Sequence, residues 1–178
     1  MQIKEASIVN TSVNYKIYLD MDNVITDFDA ACNSISYGLV KLHRTNRDDF
    51  WKVIESQGIN FWSQMEWKID GKDLVSHLLN YNTTVLSAHQ NPRRGRIVEF
   101  SIKGKYDWLV REISKGFADK AIICRRSDKT MYADPFSILI DDNSENIKNW
   151  EDAGGIGVLH YDAESSIGKL YNIFYQKA

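Results

Sequence analysis

Four aspartates form two pairs in this chain, and each pair follows a short apolar run that is typical of a β-strand. The first pair is Asp20 and Asp22, and the second is Asp141 and Asp142. Carboxylates that converge repel each other unless a cation lies between them, and hard oxygen ligands favour Mg²⁺. Asp-x-Asp is common, so the first pair alone also fits an exposed turn without chemistry. The second pair favours a metal site, because adjacent acids after a buried strand are costly without a counter-ion.

A hydroxyl and a lysine lie between the two acid pairs. Ser87 ends the apolar run 83–87, and Lys129 lies a short step ahead of the second acid pair. Open α/β sheets bind ligands beyond the carboxyl ends of their strands, so we expect these side chains to gather there. The chain order of acid pair, hydroxyl, lysine and acid pair resembles the four motifs of the haloacid dehalogenase-like (HAD) phosphohydrolases. The resemblance extends over roughly residues 15 to 160.

Several segments resemble one family within this group, the 5′(3′)-deoxyribonucleotidases. They are residues 20–28, 61–62, 105–108, 128–130 and 140–142. The chain departs from the family at three places: Asn23 replaces a usual Gly, Ser87-Ala88 replaces a Thr-Ser pair, and Asn143 replaces an Arg. Asn tolerates the turn geometry that Gly adopts. The other two departures concern phosphate and substrate contacts, so they bear on substrate identity more than on reaction type.

The resemblance implies roles for four catalytic residues. Asp20 is the nucleophile that forms an aspartyl-phosphate, and Asp22 protonates the leaving oxygen and later activates the hydrolytic water. Lys129 holds the nucleophile and the phosphate together by its charge. Ser87, with nearby backbone N–H groups, donates hydrogen bonds to phosphoryl oxygens.

The same resemblance implies a Mg²⁺ site. Its ligands are the carboxylate of Asp20, the backbone carbonyl of Asp22 and the second acid pair. We expect Asp142 to bind the metal directly and Asp141 to bind it through water, although the two roles can be exchanged. A cation there would neutralise charge that otherwise repels an anionic phosphomonoester.

Substrate contacts are expected beside the phosphate site and in the insertion. Phe61 and Trp62 match the family's base-contacting pair, and Phe28 matches an aromatic that stacks on the base. Phe28 fits equally well as a core residue beneath the insertion. Ala88 and His89 follow the predicted phosphate-binding Ser87, although a loop histidine there can also be incidental.

Strand signals recur at about 15–20, 83–87, 119–124, 137–141 and 155–160, and helical patterns lie between them. This alternation predicts an α/β fold: a HAD-like, Rossmannoid three-layer core in which helices cover both faces of a parallel sheet. Lys103 and Lys105 are placed at the start of a helix, where a cation is unfavourable and hints at an anionic neighbour.

The interval after the first strand is too long for a simple crossover and predicts a small helical cap. Its helical patterns lie at about 29–43, 47–57 and 71–80, and Trp51 is assigned to the cap's own core. We therefore divide the chain into an N-terminal extension or short extra strand (1–14), a core (15–28 and 83–178) and a cap (29–82).

Composition restricts the partners. The chain of 178 residues is 43% hydrophobic and 12% aromatic, which indicates a packed globule. Its net charge of −2 predicts no membrane or nucleic-acid binding surface. The basic cluster 93–96 is the exception, and it fits a solvated loop better than a polyanion contact. No stretch has the apolar length of a membrane helix or signal core, so we expect a cytoplasmic protein, which could form a homodimer.

The sequence thus predicts a Mg²⁺-dependent phosphomonoesterase, a 5′-nucleotidase for deoxyribonucleoside monophosphates. Two alternatives remain open. One is a phosphatase of the same chemistry that acts on a nucleic-acid end or a sugar phosphate. The other is a nucleotide-binding module without catalytic activity, against which the retention of both acid pairs and Lys129 argues.

Overall fold

The computed structural model describes residues 14–91 and 94–175 of the chain. It contains five strands: Lys16–Leu19 (β1), Thr83–Ala88 (β2), Ile122–Cys124 (β3), Ser137–Asp141 (β4) and Ile156–Leu159 (β5). They form one sheet in the order β3-β2-β1-β4-β5, and every neighbouring pair is parallel. The predicted parallel α/β core is confirmed. The predicted N-terminal extension, apart from residue 14, lies outside the described residues.

The helices are Phe28–Ile35 (α1), Leu39–Thr45 (α2), Arg47–Ser56 (α3), Asn60–Ser63 (α4), Gly71–Leu78 (α5), Ile97–Glu112 (α6), Lys115–Ala118 (α7), Ser144–Asp152 (α8) and Ala163–Tyr175 (α9), with a 3₁₀ helix at Arg126–Tyr132. The pattern over 29–43 forms two helices, because Gly38 has a φ of 82° and interrupts the helical path. Within the described ranges, no helix is both long enough and apolar enough to cross a membrane.

The prediction that Lys103 and Lys105 open a helix is wrong. Helix α6 begins at Ile97, so both lysines lie in its middle. The two side chains then face different surroundings. Lys103 is exposed and pairs with Asp107, four residues later, whereas Lys105 is 1% exposed.

The side chains of the central strands alternate between two hydrophobic clusters. On β1, Ile17 and Leu19 belong to the larger cluster and Tyr18 to the smaller one. Helices α5, α6 and α9 contribute to the larger cluster, and α8 contributes Trp150 to the smaller one. Since successive strand residues point to opposite faces, this division confirms that helices cover both faces of the sheet.

The insertion between β1 and β2 is helical, as the sequence predicted, and two of its helices make its main contacts with the core. Helix α4 packs against α6, and α5 packs against α9, which also contacts β5. The boundary of the cap at residue 82 stays a prediction. The contact between α5 and α9 favours a boundary before α5, because it places this helix among those that cover the sheet.

A glycine permits the close approach between α4 and α6. A Cβ atom added at Gly104 would lie 2.7 Å from the backbone oxygen of Ile59 and 2.7 Å from Cβ of Trp62. Neither atom is the end of a flexible side chain, so a larger residue would force the two helices apart. Gly116, in α7, has nothing within 4 Å of the same position.

We therefore expect Gly104→Ala to lower the free energy of unfolding by about 1–3 kcal/mol, which is the usual cost of overpacking. Gly116→Ala is the matched control, and it should leave stability unchanged or raise it slightly, because Ala favours a helix. Urea denaturation of the two variants measures both effects. Equal stability of the two variants would show that α4 and α6 are not in close contact.

Candidate active site

The first acid pair lies in a tight turn immediately after β1. Three consecutive backbone N–H groups, those of residues 24–26, donate to the carbonyl oxygen of Met21. Asn23 has a φ of 60°, the one positive φ among the described non-glycine residues, and its N–H donates to the oxygen of Thr26. Asn is among the few residues that accept this conformation readily, so the departure from Gly is tolerated, as predicted. The turn holds Asp20 and Asp22 at the carboxyl edge of the sheet.

Lys129 connects the two acid pairs. Its Nζ lies 2.7 Å from Oδ2 of Asp141 and 3.2 Å from Oδ1 of Asp20. The first contact is a hydrogen bond, and the second is an ion pair without hydrogen-bond geometry. Burial would lower the pKa of Lys129, but the charges of Asp20 and Asp141 outweigh it and raise that pKa. Lys129 therefore stays charged between the carboxylates.

Lys105 performs the corresponding function for the other carboxylate of the first pair. Its Nζ donates to Oδ2 of Asp22 at 2.7 Å, to Oγ of Ser87 at 2.9 Å and to the carbonyl oxygen of Ala88 at 2.9 Å. The side chain of Asp22 is 24% exposed, whereas that of Lys105 is 1% exposed. Helix α6 thus delivers a buried positive charge directly beneath the site.

The pKa values of the two aspartates of the first pair are shifted in opposite directions. Burial alone would raise the pKa of Asp20, but the charges of Lys129 and Lys105 outweigh it and lower the pKa. For Asp22, burial and the charge of Asp20 outweigh Lys105, and the pKa is raised. Such a separation suits a pair in which one carboxylate stays ionised and the other exchanges a proton.

Three carboxylates converge into a cluster that fits a divalent cation. Asp20, Asp141 and Asp142 each contribute an oxygen, and these oxygens lie within 4.8 Å of one another. Oδ1 of Asp20 and Oδ1 of Asp22 are buried and accept no hydrogen bond from the described residues. Buried oxygens without partners, in a set of hard donors, meet the requirements of a Mg²⁺ site.

In the second acid pair, one carboxylate accepts several hydrogen bonds and the other accepts none from the described residues. Asp141 is fully buried and accepts hydrogen bonds from Lys129, from the N–H of Asn143 and from the side chain of Asn146. Asp142 is exposed and has no hydrogen bond or ion pair within residues 14–91 and 94–175. Desolvation and repulsion by neighbouring carboxylates raise the pKa of Asp142 to about 7. Because the residue as a whole is exposed, repulsion explains this shift better than burial.

A cavity of about 780 Å³ opens above the carboxylates. The predicted site residues that line it are Asp20, Asp22, Asp142, Phe28, Ala88 and His89. Ser87 is fully buried below it and holds Lys105, which favours a positioning role for its hydroxyl over direct contact with phosphate. The role of Ser87 as a hydrogen-bond donor to the phosphate of a substrate stays a prediction.

Phe61 and Trp62 lie outside the wall of this cavity. Trp62 is 1% exposed and Phe61 is 7% exposed, and both belong to the larger hydrophobic cluster. The ring of Phe61 packs edge-on against Phe28, with 5.5 Å between the centroids. The prediction that this pair contacts a base therefore remains without direct support, whereas Phe28 does border the cavity.

The cavity also includes residues that sequence reasoning missed. Trp51, assigned to the core of the insertion, packs there against Phe50 and also borders the cavity beside His43. Arg47 and Arg125 border it as well. Lys105 does not line the cavity and was not among the predicted site residues, although the sequence suggested an anionic neighbour for it, which is Asp22.

The fold and the site define a parallel α/β protein with a candidate divalent-metal site at the carboxyl edge of its sheet. Among solved structures, the chain is similar to a hydrolase from Streptococcus pneumoniae TIGR4, with 13% identity, a TM-score of 0.46 and coverage of 90% of this chain and 97% of that chain. It is also similar to the putative HAD-hydrolase YfnB from Bacillus subtilis, whose structure contains magnesium. There the identity is 14%, the TM-score 0.49 and the coverage 92% and 99%.

No family model matches the chain, and no curated protein matches it. With identities this low and TM-scores below 0.5, a function for this chain has to be argued from its own site.

Removing the charge of Lys105 should destabilise the protein. Lys105→Met leaves the carboxylate of Asp22 unpaired in a largely buried site, so we expect a loss on the order of 3 kcal/mol in the free energy of unfolding without metal. Lys103→Met, in the same helix, breaks only an exposed pair and should cost less than about 1 kcal/mol. Urea denaturation compares the two variants.

The double variant Lys105→Met/Asp22→Asn tests the cause. It should recover part of the lost stability, because no unpaired charge is left in the site. If Lys105→Met costs no more than Lys103→Met, the pair of Lys105 with Asp22 does not stabilise the fold.

Proposed function

We propose that this protein is a Mg²⁺-dependent phosphomonoester hydrolase that acts through an aspartyl-phosphate intermediate. The observation that carries the proposal is the convergence of the carboxylates of Asp20, Asp141 and Asp142, bridged by Lys129, at one edge of a parallel sheet. The pKa of Asp20 is lowered and that of Asp22 is raised, a combination that suits a nucleophile beside a general acid. The order of motifs in the sequence, which resembles the HAD phosphohydrolases, supports the same reaction.

Asp20 is the proposed nucleophile. Lys129 holds its carboxylate ionised and also fixes it relative to Asp141. A carboxylate oxygen attacks phosphorus, the bond between phosphorus and the leaving oxygen breaks, and Asp22 gives its proton to that oxygen. Asp22 then accepts a proton from the water that hydrolyses the aspartyl-phosphate, which returns both residues to their starting states.

The cation would be held by Asp20 and Asp142, with the backbone carbonyl of Asp22 and, through water, Asp141 as further ligands. Its chemistry would be to neutralise the carboxylates and to polarise a phosphoryl oxygen. The open state of Asp142 and the complete hydrogen bonding of Asp141 favour Asp142 as the direct ligand.

The proposed substrate is a nucleotide, and a deoxyribonucleoside monophosphate by the resemblance of the sequence. The cavity of about 780 Å³ is large enough for a nucleotide. Phe28 and Trp51 give it an aromatic wall on which a base can stack. A sugar phosphate would leave this wall unused, and a nucleic-acid end would have to enter the same concave site.

Asp20→Asn should lower turnover by at least about 10³-fold, because an amide neither attacks phosphorus nor binds Mg²⁺ well. Phosphate release from a panel of nucleoside 5′- and 3′-monophosphates, sugar phosphates and 3′-phosphorylated oligonucleotides, with Mg²⁺ or with a chelator, measures the effect. The control is Asp107→Asn, which alters an exposed ion pair and should retain full activity.

Full activity in Asp20→Asn would refute the mechanism. Nucleotide binding by the unaltered protein without phosphate release in Mg²⁺ would establish the non-catalytic alternative. A preference within the panel for sugar phosphates or for phosphorylated oligonucleotides would replace the nucleotide proposal by the other phosphatase alternative.

A base that stacks on Phe28 should make nucleotide turnover depend on that ring. We expect Phe28→Leu to lower kcat/KM for the best nucleotide by about 5- to 150-fold, the range of base–aromatic stacking energies. A small ester without a ring, such as glycerol phosphate, should lose much less. Trp62→Phe is the comparison, and its buried position predicts similar, smaller losses with both substrates. A nucleotide-selective loss in Trp62→Phe alone would instead make Trp62 the base contact.

A further inference from the structure

The cavity above the carboxylates has four arginines on its wall, and they differ in how their charge is used. Arg94 pairs with Asp48 at 2.9 Å, and Arg126 pairs with Glu145 at 2.9 Å. The other two are Arg47 and Arg125. The side chain of neither arginine forms a hydrogen bond or an ion pair with any residue in the described ranges, so the cavity offers two guanidinium groups that are free to bind an anion.

Arg47 belongs to the aromatic wall. It lies in the first turn of α3, four residues before Trp51, and one helical turn places both on the same side of the helix. Its charge is close enough to His43 to lower the pKa of that ring, an effect second only to burial. Arg47 therefore belongs to the side of the cavity proposed for the base, whereas the carboxylates would hold the cation and attack the reacting phosphoryl group.

Arg125 also lines the cavity, and its backbone lies away from Asp20 both across and along the sheet. It follows β3, which is two strands from β1, or about 10 Å sideways. The strand register places Asp20 level with Ile122. The backbone of Arg125 lies three residues beyond Ile122, which is about 10 Å in the strand direction. The side chain of Arg125 thus starts beyond the nucleophile in the strand direction, and it lines the cavity.

The acidic groups of the cavity do not neutralise these arginines. Asp20, Asp22 and Asp142 belong to the proposed metal site, where Lys105, Lys129 and a cation compensate them. The remaining carboxylate is Asp29, which accepts a hydrogen bond from the side chain of Asn23 at 3.2 Å. Away from the proposed metal site, the cavity therefore has two unpaired arginines and one carboxylate, which gives this part of it a net positive charge.

From this arrangement we infer that Arg47 and Arg125 bind a second phosphate group of the substrate, so that the preferred substrate is a nucleoside bisphosphate. The inference rests on the proposed function, since it assumes that the reacting phosphate lies on Asp20. Arginine suits the task because its planar group binds phosphate oxygens through two hydrogen bonds at once. A nucleoside 3′,5′-bisphosphate is the simplest molecule that carries two phosphates and a base.

The test compares a nucleoside 3′,5′-bisphosphate with the corresponding 5′-monophosphate and 3′-monophosphate. In Mg²⁺, the unaltered protein should have a higher kcat/KM for the bisphosphate. Arg47→Gln and Arg125→Gln should each lower that value by about 10- to 100-fold, as expected for hydrogen bonds to a charged group. Losses with the monophosphates should be much smaller. The control is Arg44→Gln, an exposed cap arginine outside the cavity wall, which should not distinguish the substrates.

Two results would overturn the inference. Equal losses with the bisphosphate and the monophosphates would mean that the arginines serve the reacting phosphate. No loss with either would mean that they are solvated surface groups.

A binding measurement separates this inference from the proposed function. Calorimetry with Asp20→Asn protein should give tighter binding of the bisphosphate than of either monophosphate, and Arg47→Gln or Arg125→Gln should remove the difference. If no variant releases phosphate but this pattern of binding holds, the hydrolase proposal fails and the second phosphate site stands. If hydrolysis is observed but binding shows no preference for the bisphosphate, the hydrolase proposal stands and the second phosphate site is refuted.

Discussion

The buried contact of Lys129 with Asp20 and Asp141 is the constraint on which the rest of the site depends. These three charged groups are almost completely removed from water, and each would be very costly to bury alone. Asp20 follows β1 and Asp141 ends β4, which are neighbouring strands in fixed register. The ion network therefore requires the sheet order that brings these strand ends together. It also leaves the carboxylates with an excess of negative charge that a cation can offset.

The sequence predicted the parts of the site that depend on local chain geometry. An apolar run followed by an acid pair indicates a strand end, and the carboxyl ends of parallel strands share one edge, so Asp20 and Asp141 could be placed together without a structure. Asn23 likewise indicated the turn that holds the first pair. Both inferences need only the period of a strand and the tolerance of Asn for positive φ.

The sequence could not predict contacts that depend on where one element ends against another. Lys105 reaches Asp22 across 83 residues, so the sequence suggested an anionic neighbour without identifying it, and the start of α6 was placed six residues too late. Phe61 and Trp62 match a base-contacting pair in type and spacing, yet the packing of α4 on α6 buries them. Such packing decides whether an aromatic side chain is exposed, and the local sequence pattern carries no information about it. The unpaired arginines were missed for the same reason.

Two neighbouring residues of α6 connect the insertion to the site. Gly104 allows the backbone of α4 to approach, and Lys105, the next residue, holds Asp22 and the end of β2. A rigid helix thus fastens the base of the insertion and the acid–base residue at the same height. The part of the insertion around α4 is therefore packed firmly against the core. Selection among substrates would then begin at entry, by the dimensions of the opening that α4 helps to fix, before any chemistry begins.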